Sequence, residues 1–366
     1  MSDLGIYLHV PFCGKKCRYC DFYSLKYSRD NVEGYIQAVL RNIDYYGASA
    51  ADADTDTIYF GGGTPSLLSP EQLSLIIERI RKRFRVNENC EITLEANPAG
   101  LTYEKLRKLR EAGINRLSIG VQSMIDSELE FLGRSHNSDR AEKAVHDAAE
   151  AGFTNISCDL MLAVPEQTIS SLETSVQRLT SLPITHISAY ILKVEAGTPF
   201  DCDEIRSVVP DDEMSADLYL RAVDVLEEQG FRQYEVSNFA VSGYESRHNC
   251  RYWQCRDYIG IGPSAHSCFG GKRFAAESSL EKFISSEIQP VYVTDDSPCG
   301  FEEYAMLRLR LREGLDLRNI GEKRTVLERR IPPLAASGYI RFDGDIISLT
   351  PKGFLMSNSI IEHLIF

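Results

Sequence analysis

The sequence predicts an α/β protein: an open six-stranded (βα)6 partial TIM barrel followed by a small C-terminal α/β domain of winged-helix type. Two observations carry that prediction. Apolar strand-like runs alternate with amphipathic helix-like runs from Ile6 to Leu192. Runs that are apolar throughout are buried on both faces, as in a parallel sheet clothed by helices. From Phe301 onward the order changes to helices, a hairpin and a last helix, which is the order of a separate unit.

Each element has a local reason. Ile6–Val10 reads as a short buried strand, and 31–46 as a helix with Ile36, Val39, Leu40 and Ile43 on one face. Thr57–Phe60 is a strand running into Gly61-Gly62-Gly63. Ser69 caps the next helix, with Pro70 at its first position and Gln72 at its third, a capping box. Residues 91–96, 116–121, 156–163 and 186–192 read as strands. Residues 103–112, 139–151 and 169–182 read as helices, the first two closed by Gly113 and Gly152. Six strands are two short of a complete eight-fold barrel. That favours an open curved sheet, although a flat doubly wound sheet has the same periodicity. Residues 212–229 read as a helix and 234–240 as a strand. The stretch 246–271 is rich in Gly, His, Cys and aromatics without a clear period, and 278–298 reads as a linker. Residues 339–349 read as a hairpin turning on Asp343-Gly344-Asp345, before a helix that follows Pro351. The expected domains are 1–200, the barrel; 201–295, its extension; and 296–366, the C-terminal unit.

With 43% hydrophobic and 25% charged residues, the composition is that of an ordinary globular chain. A formal net charge of −13 opposes nucleic acid or an anionic membrane as the main partner, since both need basic surface. Neither a charged-then-apolar leader nor a bilayer-length apolar run stands in the sequence, so an integral membrane protein is not expected and a cytoplasmic location is. Ten cysteines in such a chain do not suggest a disulfide framework. Seven are scattered and read as small buried hydrophobes.

The other three are packed together. Cys13-Gly14-Lys15-Lys16-Cys17-Arg18-Tyr19-Cys20 is a C-x3-C-x2-C run directly after the first strand. Closely spaced thiolates on one loop suit an iron–sulfur cluster. Three ligands on a four-iron cluster leave one iron open to a small molecule, as catalytic metal sites leave a position open. Lys15, Lys16 and Arg18 would offset the cluster's negative charge. A zinc site with His9 as fourth ligand also fits the spacing. Further along, Glu95, Gln122 and Asp159 interrupt or end largely apolar strands. A buried polar group in such a run is costly unless paired. Three on successive strands would face one mouth of the barrel, where barrel active sites sit.

His9-Val10-Pro11-Phe12-Cys13, Tyr19-Cys20-Asp21-Phe22, Gly61-Gly62-Gly63-Thr64-Pro65-Ser66, Glu95-Ala96-Asn97-Pro98, Ser118-Ile119-Gly120-Val121-Gln122-Ser123 and Gly133-Arg134-Ser135-His136 follow one another along the chain. So do Pro165-Glu166-Gln167-Thr168, Ser188-Ala189-Tyr190, His248-Asn249-Cys250-Arg251-Tyr252-Trp253 and Leu349-Thr350-Pro351-Lys352-Gly353. The set resembles radical S-adenosylmethionine (SAM) proteins over nearly the whole chain. More narrowly it is similar to the branch of oxygen-independent coproporphyrinogen III oxidases and HemW haem chaperones. The resemblance implies a radical SAM barrel with a [4Fe–4S] cluster on Cys13, Cys17 and Cys20. It implies SAM held by Tyr7, Tyr19, Gly62, Gly63, Thr64, Glu95, Gln122, Arg134 and Asp159.

The resemblance also ties the His248–Trp253 motif to haem, with His248 as iron ligand and Tyr252 and Trp253 packing the macrocycle. Cys250 and Cys255 lie near it as a weak candidate metal or haem contact. One departure separates the two members of the branch. The oxidases carry a further cysteine two residues past the third ligand, where this chain has Phe22. They also carry an extra N-terminal segment, whereas here the first strand is expected almost at Met1. Both departures favour a haem chaperone that takes haem, a haem-accepting protein and an electron donor to the cluster as partners, with peripheral contact to a membrane haemoprotein compatible. The alternative is a radical SAM oxidase that decarboxylates coproporphyrinogen III. A zinc-only structural protein fits the glycine loop poorly.

Overall fold

The computed structural model describes residues 3–365. Strands β1 (Asp3–Val10), β2 (Asp54–Gly62), β3 (Arg85–Ala96), β4 (Arg116–Gln122), β5 (Ile156–Leu162) and β6 (His186–Ile191) pair in sequence order, all parallel. Helices α1 (Arg29–Ser49), α2 (Pro70–Arg83), α3 (Tyr103–Glu111), α4 (Asp126–Phe131), α5 (Ser138–Glu150) and α6 (Ile169–Thr180) connect them. The capping box between Ser69 and Gln72 is present, each side chain bonding the other's backbone amide. β2 and β3 begin earlier than expected because their first residues are largely polar. Arg85, Asn87, Glu88 and Asn89 overhang the barrel exposed, and no apolar pattern marks them.

The region after the barrel is structured where the sequence reading found no period. It supplies α7 (Asp203–Arg206), α8 (Asp212–Glu228), α9 (Arg247–Trp253), α10 (Leu280–Ser285) and six strands. These are β7 (Arg232–Gln233), β8 (Asn238–Ala240), β9 (Tyr258–Ile261), β10 (His266–Phe269), β11 (Lys272–Ala276) and β12 (Val291–Asp295). The sheet order is β12-β11-β10-β9-β1-β2-β3-β4-β5-β6-β8-β7. The extension therefore covers both edges of the six-stranded core. β9 lies parallel to β1 and β8 antiparallel to β6, so neither barrel edge is left to pair with another chain. The expected strand at 234–240 is a hairpin, and the expected linker at 278–298 holds α10 and β12. Glycine hides β9: a Cβ at Gly260 would collide with the His266 carbonyl, so close backbone approach replaces an apolar side chain there.

The C-terminal unit holds α11 (Phe301–Arg308), β13 (Leu315–Asp316), α12 (Arg324–Ala336), β14 (Ile340–Asp343), β15 (Ile346–Leu349), α13 (Pro351–Leu355) and α14 (Ser357–Ile365). Its sheet runs β13-β15-β14, and the hairpin turns at Gly344, whose φ is +63°. One hydrophobic core runs through the barrel and this unit. A second, smaller cluster of Leu132, Met161, Val164, Leu192, Phe200 and Ile205 seats the segment after β6, and Tyr19 of the cysteine loop packs against it. Among the described residues no helix is long and apolar enough to cross a membrane.

Candidate cofactor site at the barrel mouth

The cysteine loop is anchored at its start. Phe12–Cys13 forms a two-residue parallel ladder with Leu25–Lys26, and Phe12 is fully buried against Tyr35. Cys13 is buried, while Cys17 and Cys20 are half-buried. Thr64 Oγ1 donates to Cys13 Sγ at 3.7 Å, and Arg134 Nη1 donates to Cys17 Sγ at 3.1 Å. Arg134 is fixed by a second bond, Nη2 to the Gly120 carbonyl at 2.6 Å. Burial pushes the Cys20 thiol up from its ordinary pKa. The cation bonded to a cysteine of this loop is thus Arg134, 114 residues beyond Cys20. Of the three nearby cations expected there, Lys15 lines the cavity. Lys16 Nζ instead donates to the Phe22 carbonyl at 3.0 Å, and Arg18 lies over the Phe200 ring at 5.4 Å.

Opposite the loop, the carboxyl ends of the strands close a cavity of about 390 Å³. Cys13, Cys17, Cys20, Tyr19, Gly62, Gly63, Thr64, Glu95, Gln122, Arg134 and Asp159 all line it. Gly63 has no room for a side chain, since a Cβ would stand 2.7 Å from the Phe12 carbonyl oxygen. Gly62 has φ +111°, a conformation that favours glycine. Its N–H donates to Glu95 Oε2 at 3.1 Å, and Tyr59 OH donates to Oε1 at 2.8 Å. Ser118 Oγ donates to Asp159 Oδ1 at 3.2 Å. Gln122 is delivered by a register shift in β4 and a left-handed φ of +75°, which turns its side chain into the cavity. Sequence pattern carries no signal for such a bulge.

Burial raises Glu95 to about 7 and Asp159 to about 6. Asp159 raises Glu95 further, while Arg116 lowers both and Arg134 lowers Asp159; neither carboxylate has an ion-pair partner among the described residues. Such a pair favours a cationic ligand. The donor set fits the implied cofactors. Three thiols on one loop can take three corners of a cubane, and the two carboxylates can meet a sulfonium and an ammonium group. A single metal ion fits less well: among the described residues no group of three or more His, Cys, Asp or Glu side chains is arranged to hold one. His9 is not a fourth ligand. Its ring nitrogens are engaged by Tyr7 OH at 3.1 Å and the Tyr23 carbonyl at 2.9 Å, and burial lowers its pKa.

Two expected site residues stand elsewhere. Tyr7 does not line the cavity, because its hydroxyl turns toward His9 and its ring stacks in the layer below, on Tyr59. His248 is the larger correction. It is fully buried at the start of α9, with Nδ1 bonded to Thr57 Oγ1 at 2.8 Å and Nε2 to Tyr252 OH at 2.9 Å. Its ring stacks on Tyr59 at 5.1 Å. Its main-chain N–H donates to Glu91 Oε1 at 3.1 Å, and burial lowers the imidazole to about 3. Thr57 lies five residues before Gly62 on β2, roughly 16 Å along the strand, so His248 belongs to the barrel floor. Neither ring nitrogen is open to an iron. Nearby, Arg251 is fully buried on Asp56 and also donates to the carbonyls of Asp3 at 2.9 Å and Asp257 at 3.0 Å. Conversely, Asn97, Ser118 and Tyr190 line the cavity without having been expected as site residues. The available signal was the place of Asn97 and Tyr190 at strand carboxyl ends; Ser118 lies inside β4 and had no such signal.

With this geometry in hand, likeness to known proteins becomes informative. The Radical SAM superfamily model matches residues 7–179, and the HemN C-terminal domain model matches 301–356. The chain is 36% identical to "Heme chaperone HemW" of Bacillus subtilis, over 97% of each chain. It is 32% identical to the protein of that name from Escherichia coli, over 99% of this chain and 98% of that one. The chain belongs to the HemW family of radical SAM proteins. A bovine "Radical S-adenosyl methionine domain-containing protein 1, mitochondrial" is 38% identical over 72% of this chain and 60% of its own. The fold matches the solved coproporphyrinogen III oxidase HemN of Escherichia coli, with a TM-score of 0.83 over all of this chain and 90% of that one. At 22% identity that likeness speaks for the fold alone.

Proposed function

We propose that this protein is a haem chaperone on a radical SAM scaffold. It holds a [4Fe–4S] cluster on Cys13, Cys17 and Cys20 and SAM in the mouth cavity, and it carries haem to an acceptor protein. The observation that carries the cofactor reading is the cavity itself, where three thiols face two raised carboxylates that have no ion pair among the described residues, across about 390 Å³. When bound, the cluster and SAM supply one-electron chemistry. The chain's own residues do the holding. Arg134 places positive charge on Cys17, Thr64 donates to Cys13, and Glu95 and Asp159 offer negative charge to a cationic ligand. Gly62 and Gly63 let backbone approach where a side chain would block.

Full-length likeness to proteins named haem chaperones supports the haem reading. The rim of the mouth supports it too. Phe22, 62% exposed, and Tyr190, 40% exposed, offer ring faces beside the cavity. Exposed rings beside a cavity suit a flat apolar ligand. Haem is therefore assigned to the rim and not to His248. The test is anaerobic reconstitution of the full chain with iron and sulfide, followed by haem titration and an assay for 5′-deoxyadenosine. Four irons and four sulfides per chain, lost in Cys17→Ala, are expected, with haem bound and no conversion of coproporphyrinogen III. A zinc-loaded protein without labile sulfide overturns the cluster. Efficient conversion to protoporphyrinogen makes the protein an oxidase instead.

A further inference from the structure

Three of the scattered cysteines meet at the far side of the barrel from the mouth. Cys255 follows α9, Cys268 lies in β10, and Cys299 precedes α11. The Cys299 thiol neighbours the thiols of both Cys255 and Cys268 and shifts the titration of each. It also reaches the Cys255 carbonyl at 3.9 Å. Cys255 and Cys268 line one small cavity of about 190 Å³, together with Tyr252, Arg273 and Glu303. Arg273 and Glu303 form an ion pair at its wall, and Glu303 also accepts from the Cys299 N–H at 2.7 Å. Two backbones here are unusual. Cys255 has φ +53° and Cys299 φ +65°, two of only six non-glycine residues at positive φ among the described residues. Left-handed cysteines that face each other are backbone strain held in place by the surrounding fold.

We propose that Cys255, Cys299 and Cys268 form a thiol redox site in which an oxidant of the peroxide class closes a Cys255–Cys299 disulfide. Cys255 and Cys299 sit in turns and are half-buried, so their backbones can adjust to disulfide geometry. Cys268 is buried and fixed by its strand, hydrogen-bonded into β11, and remains as the competing thiol. The chemistry balances in two steps. One thiol takes an oxygen from peroxide, whose O–O bond breaks, giving a sulfenic acid and one water. The second thiol then displaces hydroxide from that sulfur, forming the S–S bond and a second water. Two electrons pass from two thiols to one peroxide.

Burial and mutual repulsion raise all three thiols, Cys299 to about 12 and Cys268 to about 11. The site therefore rests protonated, and oxidation accelerates as pH rises because the thiolate is the nucleophile. The bond would tie the entry of the C-terminal unit to the end of α9. Tyr252 on that helix lines the same cavity and bonds His248, so the link stiffens the barrel floor.

Peptide mapping tests the site on the full-length chain. Cleavage after lysine and arginine puts Cys255, Cys268 and Cys299 on three different peptides, bounded by Arg251, Arg256, Lys272, Lys282 and Arg308. The reduced chain is treated with limiting hydrogen peroxide at pH 7 and pH 9, alkylated, digested and read by mass spectrometry. A Cys255–Cys299 linked pair is expected, forming at least tenfold faster at pH 9. Cys299→Ser should abolish it and Cys268→Ser should retain it, each with the circular dichroism spectrum of the parent. The proposal is overturned if all three cysteines remain alkylated singly, if they are driven to sulfonic acid unlinked, or if Cys268 takes the place of Cys255.

Discussion

The two ends of the barrel interior are both polar, and they are built in opposite ways. At the mouth, Glu95 and Asp159 have hydroxyl and amide donors but no ion-pair partner among the described residues, and a cavity stands in front of them. At the floor, His248 has both nitrogens bonded and Arg251 is buried on Asp56 with two carbonyls besides. An open end with unmet electrostatic demand can bind a ligand. A closed end whose polar groups are bonded internally, all but Arg251 Nε, specifies the fold. Residue type alone does not distinguish the two, since a histidine beside a tryptophan sits at the closed end and a glycine loop at the open one.

Substitutions should separate the ends by what they damage. The largest stability effect is expected at the floor. Arg251→Ala removes the nearest partner of Asp56, leaving only Arg247 and Arg256 at 3.6 Å, and empties a fully buried position; it should cost about 4 kcal/mol, read by urea denaturation. An effect below about 1 kcal/mol would mean that the floor is not the closed network described. His248→Ala should follow at about 3 kcal/mol, from a cavity and the stranded Thr57 and Tyr252 hydroxyls. The haem absorption spectrum of the folded fraction should stay that of the parent. A changed Soret band with parental stability would instead make His248 a ligand.

At the mouth the ranking inverts, with small stability changes and large binding changes. Glu95→Gln and Asp159→Asn should each leave stability within about 1 kcal/mol and weaken SAM at least tenfold, about 1.4 kcal/mol, by calorimetry. Parental SAM affinity in both variants would break the comparison. The pH dependence sharpens it. Both carboxyls titrate higher in the folded chain than in the unfolded one, so the ligand-free folded state holds more protons between the two values. Their contribution to stability therefore falls as pH rises through about 4 to 7 and is fully unfavourable above the folded values. A cationic ligand reverses this by favouring the ionised form, so SAM affinity should rise between pH 5.5 and 7.5. In Glu95→Gln that rise should be smaller.

Much of this was legible in the chain. The run of apolar strands and capped helices set the six parallel strands, because burial on both faces leaves a continuous apolar signature that needs no tertiary knowledge. The spacing of Cys13, Cys17 and Cys20 marked one loop of three close thiols, and all three line the mouth cavity. Glu95 and Asp159 were visible because a carboxylate in an apolar strand needs a reason. Other features were decided only by the tertiary structure. Arg134 bonds Cys17 across a long stretch of chain, and Gln122 reaches the cavity through a bulge that no pattern encodes. β9 was hidden because Gly260 breaks its apolar run to admit the His266 backbone, and β12 because Pro290 and Pro298 on either side give its segment the look of a linker. His248 shows the limit most clearly. Its motif fixes which groups are near one another, but whether a ring nitrogen is open depends on Thr57, 191 residues away, folding onto it. Local sequence determines what chemistry a segment can offer, and long-range packing determines which of it remains free.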